Sequence, residues 1–331
     1  MPSSAPLREK KPKPEPPISY DINIPYVDLG SNLVRPLTPF EYNDPALRVR
    51  DKSKRNLLNE SSKISHIQPN IGSVVEGVQL SSLTSAGRDE LALLISERKV
   101  VAFPEQDLID AGPDAQEEFM RHFGKPNYQP VSGSMTDHPA FHIIHRDGNR
   151  EEISRFLEQR TTTTLWHQDV SYEIQPPAMS CWRLSPTFTS FLDSLKVTHT
   201  SSKMINHTRL AGGLVRKDPV DTVHPLVRVH PVTGEKCLFL NGEFITRIQG
   251  LKDSETKWLL DFLMNHLVTG HDFQARVRWQ PRTIVMFDNR STIHSAIVDY
   301  LDDDYGAKAR HIFRLIALAE KPIPVYEDFS E

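Results

Sequence analysis

The 331-residue chain predicts a mostly β fold with flanking helices. Short β-rich runs separated by Pro and Gly make up most of the length beyond about residue 64, as expected of brief strands joined by turns. Val100-Val101-Ala102-Phe103 is one such run, and Ala309-Arg310-His311-Ile312-Phe313-Arg314-Leu315 alternates with a period of two. Ser85 to Glu97, Ala115 to Phe123 and Ser254 to His266 read as helices.

In chain order, the sequence divides into an N-terminal extension over 1–62, one domain over 63–325 and a tail over 326–331. Lys10-Lys11-Pro12-Lys13-Pro14-Glu15-Pro16-Pro17 is charged and proline-rich, which predicts an extended or disordered stretch. Residues 18–62 carry too little periodicity to assign elements. The ordered part starts near Ile64-Ser65-His66-Ile67, and no internal repeat follows.

Composition narrows the function classes. A net charge of −4 with 25% charged residues gives no sign of a nucleic-acid surface. Cys181 and Cys237 are too few for a disulfide framework and fit a reducing compartment. No run approaches a membrane span, and Met1-Pro2-Ser3-Ser4-Ala5-Pro6 lacks the apolar core of a signal peptide, so the cytoplasm is the expected location.

Thr164-Leu165-Trp166-His167-Gln168-Asp169 sets a histidine and a carboxylate two residues apart in an extended-looking segment. On a strand, His167 and Asp169 project from one face while Gln168 points away. His294, in the run Phe287-Asp288-Asn289-Arg290-Ser291-Thr292-Ile293-His294, is a third candidate ligand. Two imidazoles and one carboxylate suit a non-haem Fe(II) with positions left for co-substrate and oxygen. The competing readings are a solvated His-Asp pair and a zinc site. His145-Arg146-Asp147 repeats the spacing and mimics a kinase catalytic loop, but a glycine-rich phosphate loop and a DFG are lacking. Downstream, the alternation puts Arg310, Ile312 and Arg314 on one strand face, where two guanidiniums need anions. A surface salt bridge with Asp302-Asp303-Asp304 is the plainer alternative.

The ordered motifs Leu238 to Gly242, Thr246-Arg247-Ile248, Val277 to Pro281, Phe287 to His294 and Arg310 to Arg314, with Trp166 to Pro177 upstream, resemble the TauD/TfdA family of Fe(II)/2-oxoglutarate oxygenases. The similarity spans about Tyr42 to Pro322 and is greatest to the fungal alpha-ketoglutarate-dependent sulfonate dioxygenase branch. It implies a double-stranded β-helix (jelly-roll) core, with His167, Asp169 and His294 converging on iron. Arg310 would then pair with the distal carboxylate of 2-oxoglutarate, Arg314 would face an anionic substrate group, and Phe287 would lie beside the metal.

Two departures accompany the resemblance. Where taurine dioxygenases carry a His-Pro-Val-Tyr stretch against the sulfonate, this chain has Gln129-Pro130-Val131-Ser132, and Thr163 stands for an asparagine. Gln129, Ser132 and Thr163 are therefore the substrate-facing candidates beside Arg314. Pro176-Pro177 is followed by Ala178-Met179-Ser180-Cys181-Trp182-Arg183 and at once by Leu184-Ser185-Pro186. Roughly two dozen family residues, enough for a pair of strands, are absent, including a threonine that binds 2-oxoglutarate.

The implied activity is hydroxylation of a small anionic molecule, foremost an organosulfonate, releasing sulfite and an aldehyde, with Fe(II), 2-oxoglutarate and O2 as cofactors and co-substrates. The alternatives are a truncated, impaired relative, or an oxygenase for xanthine, an alkyl sulfate or an aryloxyacetate. The expected partner is the small anion, with neither nucleic acid nor membrane; a homo-oligomer is left open.

Overall fold

Thr84 starts the first helix, Ser85–Arg98, by accepting the Gly87 N–H on its hydroxyl at 3.2 Å, which closes one of the orphan donors of a helix end. Leu91, Leu94 and Ile95 lie on one side at helical spacing and are buried. The helix ends at Lys99, whose φ of 70° turns the chain directly into strand β3, Val100–Phe103. Both elements match the ranges expected from periodicity to within a residue.

The computed structural model describes residues 34, 36–131, 134–135, 137–146, 166–176, 184–280, 282–297 and 310–326, with His145, Arg146, Arg310 and His311 described by backbone alone. β1 (Lys63–His66), β2 (Ser73–Glu76), β3 and β11 (Ile284–Phe287) form a four-stranded sheet in the order β1-β2-β3-β11. β3 runs parallel to β2 and antiparallel to β11, with Phe287 opposite Val100. Under this sheet Val75, Leu80, Leu91, Val101, Phe103 and Phe119 make one core cluster. Each such side chain contributes roughly 1.5–3 kcal/mol by leaving water.

A second cluster lies against the long helix Asp253–Thr269, whose Leu259, Leu263 and Leu267 recur every four residues. It is covered by β6 (Lys196–Thr200), β7 (Asp221–Pro225) and β10 (Ile245–Ile248), and by β8 (Val227–Val229), β9 (Lys236–Leu238) and β14 (Ile323–Pro324). The helix starts one residue before the expected Ser254, where Glu255 accepts the Lys252 N–H at 2.8 Å. The helix expected from Ala115 spans Pro113–Arg121, because Pro113 at its first position follows Gly112, whose φ is 86°.

β12 (Arg310–Arg314) forms as the alternation predicts and pairs antiparallel with β5 (His142–Arg146). The decoy His145-Arg146 therefore sits on a strand, while Asp147 lies outside the described residues. β4 (Lys125–Pro126) pairs with β13 (Ala317–Leu318). Among the described residues no helix is long and apolar enough to cross a membrane.

Packing extends upstream of residue 63. The Asn56 and Leu57 N–H groups donate to the buried Glu90 carboxylate at 2.7 and 2.8 Å. Leu57 is 2% exposed in the first core cluster, and Ala46 packs with Ala92 and Leu93. Residues 36–62 thus belong to the packed domain. Their anchors are single side chains reaching distant partners, which leave no periodic trace. Residues 1–33 and 327–331 lie outside the described residues.

Candidate metal centre

His167 and His294 face each other across an isolated antiparallel bridge. Each donates its N–H to the other's carbonyl, at 3.0 and 2.9 Å. Directly opposed residues of such a pair project to the same side, and the imidazole centroids are 4.4 Å apart. Asp169 joins them: its carboxylate oxygens lie 3.8 Å from His167 Nε2 and 3.7 Å from His294 Nε2. One ligand atom from each residue falls within 4.8 Å of the others. These separations are too long for hydrogen bonds. They approach the roughly 3 Å expected between ligands that share one ion at about 2.0–2.2 Å.

The route by which His167 and Asp169 meet differs from the strand expected for them. Of the two, His167 alone is in a bridge, and the chain turns from Asp169 onward, with Val170 at a φ of 48°. A β-branched residue in the left-handed region is strained, and such strain gathers at functional sites. The turn, and not strand alternation, directs the Asp169 carboxylate back to the histidines.

Charge states suit cation binding. Burial works to raise the Asp169 carboxyl, but the Arg314 guanidinium and then His294, His167 and His142 outweigh it and hold it below the ordinary value. Burial is the main cause that pulls His294 down to about 4, against the attraction of Asp169. At neutral pH the His294 imidazole is therefore neutral and the carboxylate ionised, which is what metal ligation requires. An N, N, O donor set without thiolate fits iron of the two-histidine, one-carboxylate type.

The run before His294 is anchored in a buried charge network. Arg290 grips Asp288 with two parallel contacts, Nε to Oδ1 at 3.0 Å and Nη2 to Oδ2 at 2.9 Å. Its Nη1 bonds Asp44 and, at 3.2 Å, Glu320. His230 meets Asp288 Oδ2 at 2.9 Å, and the fully buried Arg228 pairs with Glu320. With every charge paired, the cluster forms a fixed base for the loop that delivers His294.

Of the remaining predicted residues, Phe287 ends β11 with its ring 5.1 Å from that of His294. Arg314 donates from Nη1 to Asp169 Oδ1 at 2.6 Å, and its buried Nε lacks a partner among the described residues. Gln129 is buried, and its Nε2 likewise lacks a partner among the described residues. Ser132 and Thr163, the Ala178 to Arg183 connection and the Arg310 side chain lie outside what the structure describes. His142 was not anticipated. It sits opposite Arg314 in the β5–β12 register, and burial followed by Arg314 pulls it down to about 3 against Asp169. The only sequence signal for it is its place in the strand-like Phe141-His142-Ile143-Ile144, because the partner strand lies far downstream.

Comparison with known proteins gives the family of the chain. The family model described as taurine catabolism dioxygenase TauD, TfdA family, matches residues 63–183 and 181–316. The chain belongs to the TauD/TfdA family. Within it, the chain is 38% identical over 314 residues to an alpha-ketoglutarate-dependent sulfonate dioxygenase of Saccharomyces cerevisiae, covering 87% of this chain and 75% of that protein. It is 34% identical to an alpha-ketoglutarate-dependent dioxygenase of Penicillium expansum, over 94% and 93% of the two lengths. The solved structure of a taurine dioxygenase from Burkholderia xenovorans superposes with a TM-score of 0.62 at 25% identity, covering 80% of this chain and 92% of that one. The fold is thus the jelly roll of this family, and the protein is an alpha-ketoglutarate-dependent dioxygenase acting on a small molecule. The two parts of the TauD/TfdA match meet at residues 181–183, where the shortened connection was expected. The yeast alignment is also longer than the 87% of this chain that it covers, so that relative carries residues without counterpart here.

Proposed function

We propose that this TauD/TfdA member binds Fe(II) at His167, Asp169 and His294 and hydroxylates an organosulfonate, with release of sulfite and an aldehyde. The observation that carries the reading is the joint placement of the three ligands and Arg314: a guanidinium with one arm on Asp169 and its buried Nε unpartnered among the described residues. A bound iron, with 2-oxoglutarate and O2, would supply the oxidising power to hydroxylate an unactivated C–H bond.

The chain's own residues bind, orient and screen. Arg314 keeps Asp169 ionised and presents its remaining donors to an anionic substrate group, with the neutral His142 beside it. Arg310, four residues earlier on β12, takes the far carboxylate of 2-oxoglutarate. Gln129, Ser132 and Thr163 shape the substrate side, and Phe287 shields the metal side. Hydroxylation of the carbon that bears the sulfonate gives a hydroxysulfonate, which loses sulfite to leave the aldehyde. The name of the yeast relative supports this substrate class. A cytoplasmic location belongs to the same proposal, supported by the two cysteines and the absence of a long apolar run.

The test is aerobic reconstitution with Fe(II) and 2-oxoglutarate, offering alkyl sulfonates, an alkyl sulfate, xanthine and an aryloxyacetate in parallel. Succinate and sulfite formed in equal amounts with a sulfonate is the expected result. Turnover with one of the other classes alone would overturn the sulfonate assignment. Arg314→Ala should raise the KM for the sulfonate about ten- to a hundredfold, the worth of a charge-assisted hydrogen bond. Arg310→Ala should raise the 2-oxoglutarate requirement instead.

The two-part family match favours a second reading, an impaired form that lacks part of its co-substrate wall. Inserting a family-like segment between Pro177 and Leu184 should then raise 2-oxoglutarate-dependent succinate formation. Robust turnover by the chain as it stands would dismiss impairment.

A further inference from the structure

The ligand segment His167-Gln168-Asp169 lies outside the named strands, yet main-chain groups of all three residues are bonded. His167 is served by the backbone of His294. The Gln168 carbonyl accepts from Asn241 Nδ2 at 2.7 Å. The Asp169 N–H donates to Asn289 Oδ1 at 3.3 Å, and its carbonyl accepts from Asn289 Nδ2 at 3.2 Å. An asparagine amide offers one acceptor and a donor in one plane, the complement a neighbouring strand presents. Asn289 therefore pairs with Asp169 as a neighbouring strand would.

Both amides are held in place. Asn241 is fully buried; its Oδ1 accepts the Glu243 N–H at 2.9 Å and its Nδ2 also reaches Ser171 Oγ at 3.1 Å. Asn289 lies between Asp288 and Arg290, which the charge network fixes. The two asparagines belong to the motif runs Leu240-Asn241-Gly242 and Phe287-Asp288-Asn289-Arg290.

We propose that Asn289 and Asn241 are positioning residues that fix the backbone of the ligand segment and thereby set metal affinity. This rests on the metal site proposed above. Because Asn289 bonds both main-chain groups of Asp169, its loss frees the carboxylate to follow Arg314 away from the histidines. Asn241, which bonds the residue between the ligands, exerts the smaller effect.

The experiment is calorimetric titration of Mn(II) into the apo protein without co-substrate or substrate, read beside apo melting temperature. Asn289→Ala should weaken Mn(II) binding about ten- to a hundredfold, the usual cost of losing a group that orients a ligand. Asn241→Ala should weaken it by less. Asn289→Ser, which keeps one polar group and a small volume, should fall between Ala and wild type. Gln106→Ala is the control for buried amide loss elsewhere. Gln106 is 1% exposed and bonds the Leu80 N–H at 2.9 Å and the Val78 carbonyl at 2.8 Å, away from the ligand segment. It should lower melting temperature while leaving Mn(II) affinity within about twofold. Asn289 variants that bind Mn(II) like wild type, or no worse than Gln106→Ala, overturn the assignment and leave the metal site standing. A wild-type chain that takes up no Mn(II) overturns the metal site itself.

Discussion

The metal cluster and the charge network behind it use the same residue types, the cluster with His294 and Arg314 partly exposed and the network more deeply buried, and they differ in how close their partners come. In the network, Arg290, Asp288, Asp44, Glu320, Arg228 and His230 pair directly, with contacts such as 2.9 Å from Arg290 to Asp288. In the cluster, the carboxylate of Asp169 stays 3.7 and 3.8 Å from the histidine nitrogens, and Arg314 approaches it closely. A group that saturates its partners is fixed, and a buried pair broken on one side is costly. A cluster held slightly open keeps lone pairs for an ion, and pays for that in stability. The contrast separates residues that hold the loop from residues that use it.

Breaking the open cluster should have the largest effect on activity. His294→Ala is expected to reduce succinate formation by more than about a hundredfold, beyond the loss of an orienting partner, while apo melting temperature changes by a few degrees at most. A melting loss like that of a core deletion would place His294 with the structural residues.

Breaking the closed network should do the reverse. Arg290→Met leaves Asp44, Asp288 and Glu320 without their shared cation, and about 3–5 kcal/mol of stability should vanish in urea titration of the apo protein. That is a large part of a typical domain's total. A stability loss below about 1 kcal/mol would show that the network closes again without its centre.

Acidification sharpens the comparison. His224 is held down to about 4 chiefly by burial, like His294 in the cluster, and the neighbouring His199 is pulled well below its ordinary value by burial and then by His224. Since the unfolded chain takes up these protons near pH 6.5, stability is complete above that pH and falls as pH drops toward about 4. Each such histidine should contribute a slope of roughly 1.4 kcal/mol per pH unit within the window. His224→Gln should flatten the profile measured by denaturation between pH 7 and 5. An unchanged slope would assign the acid sensitivity to other groups.

The smallest effect belongs to an exposed pair. Lys257 and Asp261 lie four apart on the helix Asp253–Thr269, with side chains 76% and 65% exposed. Lys257→Ala should cost under about 0.5 kcal/mol and be insensitive to metal. A larger loss would mean that this face is covered in solution.

The sequence by itself determined the elements that follow local periodicity and the chemistry that follows residue type. The helix Ser85–Arg98 and the strands Val100–Phe103 and Arg310–Arg314 were legible because spacing is a local property, as was the two-residue step from His167 to Asp169; His294, far downstream, joined them only through the family resemblance. The tertiary structure alone decided the rest. It set the turn at Asp169, the pairing of β5 with β12 that brings His142 to Arg314, and the packing of residues 36–62. It also joined Asp44 to Arg290 across 246 positions and placed Asn289 on the Asp169 backbone. These contacts carry no period. They are fixed by the need to satisfy buried charges and main-chain groups, a demand that arises only once the chain has excluded water.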